Sequence, residues 1–273
     1  MNSTTRLILD DDVMAGRTLY GNDFGDQQLR EWYAAEEYGY YDLYRGDAVA
    51  AEKIFPYRAV NRADGAALRG MHHDLCLAVG CAEGDDLAAL ELDIGRIIAI
   101  EPAEQCWSNA VAGIPAEFRK PALDGRIDQP DASVDLVIVL NALHHIANVE
   151  SVVAEFGRIL RPGGKMLLRE PTYSMGDFRQ PRQGMTRYER GIPVKLMRRF
   201  IAGAGLNVDR IVYRNTPGLP ELAGKLGIIA FNNPHLVRMD RIVSSVSRFN
   251  DRYWRARLWQ KLAPRWAVYL ASK

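Results

Sequence analysis

The sequence predicts an α/β protein built on a doubly wound, mostly parallel sheet. Three observations predict it. Apolar strand-like runs alternate with amphipathic helical segments, a glycine turn follows the first run, and polar side chains follow several runs directly. Val134–Leu140 is a nearly unbroken apolar run, typical of a parallel strand covered on both faces. A chain of 273 residues, 48% hydrophobic and 25% charged, can bury such a core.

The elements follow from periodicity and from their stop signals. Asn148–Leu160 places its apolar side chains on one helical face, and Pro162-Gly163-Gly164 ends that helix. We predict seven strands, at Asp74–Val79, Arg96–Glu101, Ala116–Arg119, Val134–Leu140, Lys165–Glu170, Leu206–Tyr213 and Trp266–Ala271. We predict helices at Gln27–Glu37, Gly84–Leu92, Ala103–Ala112, Asn148–Leu160 and Gly191–Ala204.

The strand spacing divides the chain into four segments. Residues 1–70 precede the first strand as an N-terminal helical cover, and 71–213 form the core. Residues 214–265 separate the last two strands, which is too long for a structureless loop in a compact domain. Pro217–Leu226 and Arg238–Leu262 have helical composition, so we predict a helical insertion there, with the last strand at 266–273.

Composition restricts the class of protein. The three cysteines lack metal-binding spacing, so we expect free thiols and no metal site. The first residues show no export signal and no apolar run is long enough to span a membrane, so we expect a cytoplasmic protein. Charge is unevenly distributed, because residues 179–273 carry 19 basic and five acidic side chains. This excess indicates an anionic partner, a membrane surface or docking on the acidic remainder of the chain.

The motifs of the second half carry a resemblance to a known family. Asp-x-Ser-x-Asp-Leu-Val from Asp131, then Asn-x-Leu-His-His-Ile from Asn141, then Leu-Arg-Pro-Gly-Gly from Leu160 stand in order and at the right spacing. Together they resemble a class I S-adenosylmethionine (SAM) methyltransferase of the type 11 kind, and the resemblance covers about half the chain. It also extends loosely to members from surface-polysaccharide gene clusters. The resemblance implies a Rossmann-like sheet with an antiparallel last strand, SAM as cofactor and S-adenosylhomocysteine as product.

The cofactor residues are expected after the first four strands. A carboxylate at the end of strand two, here Glu101, can accept hydrogen bonds from ribose hydroxyls, although NAD enzymes use the same geometry. The glycine turn departs twice from the family pattern, because Ala78 stands at its acidic position and Ala82 at its middle glycine. Glu83, Asp85 or Asp86 are candidates to compensate. The expected set is Gly80, Cys81, Glu83, Gly84, Glu101, Pro102, Asp124, Gly125, Asn141 and Ala142.

The resemblance also indicates catalytic residues. Methyl transfer to a hydroxyl requires alignment and removal of a proton. His144 and His145 follow strand four and Glu170 ends strand five, so one histidine is the candidate general base, oriented by Glu170. One of the two histidines is alternatively a structural residue. Oxygen is the preferred acceptor atom, while nitrogen and carbon remain open.

The loop after strand five is the predicted acceptor loop. Its arginines suit a carboxylate or phosphate, which predicts an anionic small-molecule or glycan-type acceptor, as in polysaccharide or natural-product biosynthesis. The alternative is a surface loop held by acidic neighbours. Tyrosines of the N-terminal cover are expected to fold over the site. The candidate acceptor residues are Tyr40, Tyr41, Tyr173, Arg179, Arg182, Arg187 and Arg190.

Residues 247–265 carry six basic side chains and place their large apolar side chains at helical spacing, which predicts an amphipathic basic helix. Core packing, a dimer contact and peripheral contact with an anionic membrane are the alternatives. No nucleic-acid reader motif is present, so we expect no nucleic-acid partner.

Two other functions compete with methyl transfer. The first is a SAM-binding enzyme that does not methylate, such as a cyclase. The second is a non-catalytic methyltransferase-fold binding protein. An NAD dehydrogenase is disfavoured because the turn lacks Gly-x-Gly-x-x-Gly.

Overall fold

A computed structural model describes residues 10–48 and 54–273, with side chains described for 10–37 and 54–273. Eight strands form one sheet in the order β3-β4-β2-β1-β5-β6-β8-β7. Neighbours among β1, β2, β4, β5 and β6 run parallel, whereas β3, β8 and β7 pair antiparallel. The strands are β1 His72–Val79, β2 Asp93–Ile100, β3 Ala110–Val111, β4 Ile114–Arg119, β5 Val134–Leu140, β6 Leu160–Pro171, β7 Asn207–Arg214 and β8 Trp266–Ser272. The predicted fold class is confirmed, with β3 added at one edge.

Helices cover both faces of this sheet. Their bounds are α1 Asp11–Met14, α2 Asp26–Ala48, α3 Arg58–Asp64, α4 Asp85–Ala88, α5 Val149–Ile159, α6 Val194–Gly203, α7 Leu219–Lys225 and α8 Pro234–Ser247. Alternate residues of β1 face opposite layers, as the two-residue period of a strand requires. Leu77 and Val79 pack with α5 and α6, whereas Cys76 and Ala78 pack in the layer that contains Leu87 and Leu90.

Two predicted helices of the core are wrong or too long. In place of a helix at Ala103–Ala112, the chain makes a short 3-10 turn at Glu104–Cys106 and then a hairpin of β3 and β4. Ala112 and Gly113 both have positive φ, so they form a tight reversal that a helix cannot contain. The helix predicted at Gly84–Leu92 is shortened to α4, because Glu91 takes a left-handed conformation two residues before β2.

The insertion is helical, but its second helix ends earlier than predicted. Residues 247–265 do not form the predicted basic helix; they contain two 3-10 turns, at Arg248–Asn250 and Leu258–Lys261. Side chains satisfy carbonyl oxygens that a helix would have used. Asn250 donates to the carbonyl oxygens of Trp259 (2.6 Å) and Leu262 (3.3 Å), and Arg255 donates to that of Pro264 (2.7 Å). The segment therefore folds back on itself.

Candidate functional site

A cavity of about 460 Å³ lies where the parallel strands end, at the edge expected for ligands in open α/β sheets. The glycine turn after β1 forms one wall. Gly80 has φ +62°, and an added Cβ there would lie 2.6 Å from the Cβ of Ala142, so only glycine permits this approach of two loops. Ala82 keeps a left-handed conformation, φ +44°, without being glycine. The replacement of the middle glycine therefore leaves the turn intact.

Glu101 follows β2 and faces this cavity although only 2% of it is exposed. One carboxylate oxygen accepts from the Ala82 N–H at 3.0 Å and the other from the Ala103 N–H at 3.1 Å. Burial raises the pKa of Glu101, and these two hydrogen bonds offset that rise only in part. The carboxylate is thus fixed in place, and each oxygen keeps a second lone pair for a hydroxyl.

Asn141 and Ala142 line the cavity directly after β5. Asn141 has φ +60°, and its backbone N–H donates to the Arg169 carbonyl oxygen at 2.8 Å. Its side-chain Oδ1 is buried and has no hydrogen-bond partner among the described residues. An unpartnered amide oxygen is costly inside a protein, and a ligand with a donor group would satisfy it.

The remaining predicted cofactor residues separate into two groups. Cys81, Pro102 and Gly125 line the cavity, and burial raises the pKa of the Cys81 thiol to about 12. Glu83, Gly84 and Asp124 do not line it. Asp124 is exposed and caps its own turn by accepting from the Arg126 N–H at 3.0 Å, whereas Asp128 of the same loop lines the cavity.

The missing acidic residue at position 78 also has a structural explanation. Ala78 is buried in the core layer and does not line the cavity. Asp86, the second residue of α4, lines it instead, whereas Glu83 and Asp85 do not. Its Oδ1 accepts from Asn61 at 2.5 Å and from Arg169 at 3.0 Å. Its Oδ2 has no partner among the described residues.

The two predicted catalytic histidines occupy different environments. His144 is buried, does not line the cavity, and its Nδ1 lies 2.8 Å from Oε2 of Glu170. Glu170 also accepts from the backbone N–H groups of Ala142 (2.9 Å) and Leu143 (2.7 Å). His144 and Glu170 therefore brace the loop after β5 from within. Neither His144 nor Glu170 lines the cavity. The predicted role of His144 as the general base, oriented by Glu170, therefore does not fit this geometry.

His145 lines the cavity and is held by residues from two distant segments. Its Nδ1 lies 2.8 Å from Oε2 of Glu36, in α2, and 3.1 Å from the Thr186 hydroxyl. Glu36 is buried, also faces the cavity, and accepts from the Tyr188 N–H at 2.6 Å. Burial would raise the pKa of Glu36, but the hydrogen bonds from His145, Thr186 and Tyr188 outweigh burial and lower it.

Glu36 lies on the face of helix α2 that packs against the rest of the protein. Leu29, Trp32, Tyr33 and Glu36 recur at helical spacing, which is the set that packs inward. Trp32 donates through Nε1 to the His145 carbonyl oxygen at 2.7 Å, and the Tyr33 hydroxyl donates to Asn148 at 2.6 Å. Sequence reasoning missed Glu36, because nothing local distinguishes it from Glu37. The side chains of Tyr40 and Tyr41 lie outside the described part of the structure.

The predicted acceptor arginines are mostly engaged inside the protein. Buried Arg190 donates to the carbonyl oxygens of Tyr20, His144 and Ala147, and Arg182 donates to those of Met175, Thr186 and Glu189. Arg179 pairs with Asp177 at 2.6 Å. An acceptor role for Arg182 and Arg190 is therefore corrected: they fasten the loop. Arg187 remains exposed, with its guanidinium 5.8 Å from the ring centre of Tyr188.

Tyr173 lies at a second cavity, of about 430 Å³, rather than at the first. Its ring is covered by the guanidinium of Arg255 at 4.6 Å, and Lys261 and Arg265 line the same space. The described residues contain no cluster that could hold a metal ion.

Comparison with known proteins finds a methyltransferase domain in part of the chain. Residues 77–168 match the family described as a methyltransferase domain. Over 104 residues the chain is 33% identical to a "probable S-adenosylmethionine-dependent methyltransferase" of Mycolicibacterium smegmatis, covering 37% of this chain and 40% of that protein. Over 83 residues it is 30% identical to the ubiquinone biosynthesis O-methyltransferase of Idiomarina loihiensis, covering 30% of each. The chain thus spans less than half the length of these relatives.

The fold comparison extends beyond the matched segment. The S-adenosylmethionine-dependent methyltransferase structure from Mesorhizobium loti superposes with a TM-score of 0.50 at 16% identity, covering 78% of this chain and 96% of that one. At this identity the likeness concerns the fold. Residues 77–168 therefore match a methyltransferase domain, and the chain shares the fold of the S-adenosylmethionine-dependent methyltransferase from Mesorhizobium loti.

Proposed function

We propose that the protein transfers a methyl group from SAM to a hydroxyl oxygen of a small-molecule or glycan-type acceptor, with His145 as general base and Glu36 as its orienting carboxylate. The observation that carries the proposal is the His145–Glu36 pair, which faces the same cavity as Glu101 and Asn141. Cofactor features and a candidate proton acceptor therefore share one space.

The residues around the cavity suit SAM in chemical type. Glu101 would accept hydrogen bonds from the ribose hydroxyls, and Ile127, Val152 and Phe156 form an apolar wall suited to the adenine ring. The buried Oδ1 of Asn141 would accept from the methionine end. Asp86 would bind the methionine ammonium group of SAM, in place of the acidic residue that the family has at position 78. When bound, SAM supplies a methyl group already activated by its sulfonium.

The His145–Glu36 geometry fits proton removal. A carboxylate at Nδ1 favours the tautomer that carries its proton there, which makes Nε2 the basic nitrogen. The lowered pKa of Glu36 keeps the carboxylate charged, so it also stabilises the imidazolium that forms. His145 then takes the hydroxyl proton as the oxygen attacks. The name of the Idiomarina relative, an O-methyltransferase, favours oxygen as the acceptor atom.

We also propose that the acceptor is anionic, on the basis of cations in the loop and at the cavity. Arg187 is an exposed cation of the loop with no ion pair among the described residues, and Arg119, Lys120 and Arg126 line the cavity. Glu36 and Glu37 line the cavity as well, so any negative group of the acceptor should lie away from His145. Substitution Arg187→Ala should raise KM for an anionic acceptor and leave KM for a neutral one unchanged.

Calorimetric titration with SAM and S-adenosylhomocysteine, with NADH as control, tests the cofactor. We expect micromolar binding of the first two and none of NADH. Glu101→Gln and Asn141→Ala should weaken SAM binding at least tenfold, while His145→Ala leaves it within twofold. Binding of NADH, or wild-type affinity in Glu101→Gln, would contradict the assignment.

A screen of hydroxylated metabolites with methyl-labelled SAM then tests the chemistry. With a metabolite that the wild-type protein methylates, His145→Ala should lower kcat by about 10²–10⁴-fold, the usual contribution of a general base. Glu36→Gln should lower kcat as well, whereas Glu31→Gln, at an exposed position of the same helix that does not line the cavity, should not. Normal turnover in His145→Ala would leave alignment alone as the mechanism.

A further inference from the structure

Helix α8 has an inverted pattern of burial. It buries Val237, Asp240 and Ser244, while Met239, Ile242, Val243 and Val246 are exposed at the i, i+3, i+4, i+7 spacing of one helical face. Asp240 fixes this orientation, because its carboxylate accepts from the backbone N–H groups of Asn215 (3.0 Å) and Thr216 (2.8 Å). The apolar face must therefore point outward.

The exposed apolar surface continues beyond the helix. Phe249 is 87% exposed and Leu258 is 81% exposed, and Trp259 and Leu262 are exposed as well. The side chain of Asn250 ties these segments together through the carbonyl oxygens of Trp259 and Leu262. In the described residues, 12 of the 15 exposed large apolar side chains fall within 222–262. A surface this apolar is unusual for a soluble monomer and marks an interaction site. We call α8 with residues 248–262 the α8 surface.

Cations surround this apolar face. Arg238 and Arg241 each precede an exposed apolar residue of the helix. Within 219–262, seven exposed cations have no ion pair among the described residues: Lys225, Arg238, Arg241, Arg248, Arg252, Arg257 and Lys261.

The acidic residues of the same stretch do not balance these cations. Glu221 pairs with Arg265 at 3.0 Å and Asp251 with Arg255 at 2.9 Å, while Asp240 is buried under the helix. The positive charge of the α8 surface is therefore directed to solvent.

We propose that the α8 surface docks on an anionic lipid bilayer. Its apolar side chains enter the boundary between headgroups and acyl chains, and its arginines and lysines extend to the anionic headgroups. A two-fold contact between copies of this chain would bring the unpaired cations of both copies together, which disfavours a dimer through this surface. No helix in the described residues is long and apolar enough to cross a membrane.

Cosedimentation with vesicles tests the proposal. Phosphatidylcholine vesicles are compared with phosphatidylcholine vesicles that contain phosphatidylglycerol, at low and high salt. We expect binding to the phosphatidylglycerol vesicles only, weakened by salt. Arg241→Gln combined with Arg248→Gln should lower partitioning about thirtyfold, because each cation near an anionic surface contributes about fivefold, or about 1 kcal/mol.

The apolar contribution is tested separately. Phe249→Ser combined with Leu258→Ser should lower partitioning at least tenfold, since both side chains are exposed and their loss leaves the core unchanged. The matched control is Ile54→Ser with Arg96→Gln, which removes an exposed apolar residue and an exposed cation elsewhere and should bind vesicles as the wild type does. SAM calorimetry on all variants verifies the fold.

Two results would overturn the proposal. One is equal or absent binding to the two kinds of vesicle. The other is a concentration-dependent dimer, seen by light scattering, that Phe249→Ser abolishes, because a second copy would then be the occupant.

Discussion

His144 and His145 are adjacent in sequence but belong to different parts of the structure. Their ring centres lie 4.2 Å apart, yet Glu170 holds the first inside the protein and Glu36 holds the second at the cavity. The difference arises because the 3-10 turn Leu143–His145 directs successive side chains to different sides. Of the two histidines in this motif, His144 therefore has a structural position, whereas His145 is available to a ligand in the cavity.

A structural role for His144 predicts a loss of stability. Substitution His144→Ala leaves the buried Oε2 of Glu170 with only a long backbone contact, to the His144 N–H at 3.3 Å. We expect the free energy of unfolding, measured in urea, to fall by about 1–3 kcal/mol, the cost of an unsatisfied buried acceptor. His72→Ala, at the exposed start of β1, is the control and should leave stability unchanged. An unchanged stability in His144→Ala would contradict the bracing role.

Glu36 predicts a pH dependence of stability. Its pKa is lowered from the ordinary value of 4.5, so the folded state favours the charged form. That stabilisation is complete above 4.5 and is lost as pH falls through the lower pKa of the folded state. Glu36→Gln should be less stable than the wild type at neutral pH and should lose less stability in acid. Parallel urea titrations at both pH values measure this, and identical pH slopes in the two proteins would refute it.

At the scale of elements, the contact between α5 and α6 depends on one glycine. Gly157 of α5 lies against the backbone of Ala204, where α6 ends, and an added Cβ would overlap the Ala204 carbonyl oxygen. Backbone on both sides cannot move aside without shifting a helix. Both helices pack on β5 and β6, so their spacing affects the loops that line the cavity.

This contact predicts opposite effects for two glycine substitutions. Gly157→Ala should lower the free energy of unfolding by about 1–3 kcal/mol through overpacking. Gly203→Ala is the matched change in the last turn of α6, where nothing lies within 4 Å of the added Cβ. It should stabilise by up to about 1 kcal/mol, because alanine loses less backbone entropy in a helix. Thermal unfolding of both variants measures the two changes in stability. Equal changes would contradict the proposed close contact at Gly157.

At the scale of the whole molecule, a buried charge network joins segments far apart in sequence. Arg169 of β6 reaches Asn61 of α3 and Asp86 of α4, while Arg214 of β7 pairs with Asp64 at 2.7 Å. Burial raises the pKa of Asp64, although Arg214 and Arg169 oppose the rise. Arg214 also donates to the Val237 carbonyl oxygen in α8. The network connects α3, the cavity at the strand ends and α8.

Removing the central cation should destabilise the entire domain. Arg169→Met leaves Asp86 and the buried oxygen of Asp64 without their shared guanidinium, and we expect a loss of about 3–5 kcal/mol in urea unfolding. The control is Arg62→Met, which removes a largely exposed ion pair with Glu91 and should cost about 0–1 kcal/mol. A loss in Arg169→Met no greater than in Arg62→Met would show that the network contributes little.

Features of the fold that depend on patterns over a few residues could be predicted from the sequence. The apolar run Val134–Leu140 predicted β5 with its observed bounds, and Asn148–Leu160 predicted α5 within one residue at each end. Glu101, Asn141 and His145 could be placed at the cavity, because the ends of parallel strands meet at one edge of the sheet. These features follow from periodicity and from chain order.

Other features were decided only in the tertiary structure, because they depend on contacts between distant residues. The carboxylate that holds His145 is Glu36, more than a hundred positions away, and three carbonyl oxygens from two other segments hold Arg190 in the interior. Periodicity likewise predicted a helix at 247–265, but Asn250 and Arg255 satisfy carbonyl oxygens across a fold in the chain. The sequence by itself determined seven of the eight strands in the described residues and the edge of the sheet at which the cavity lies. The tertiary structure decided which charged side chains face the cavity, because burial of a charge depends on the partners that folding brings to it.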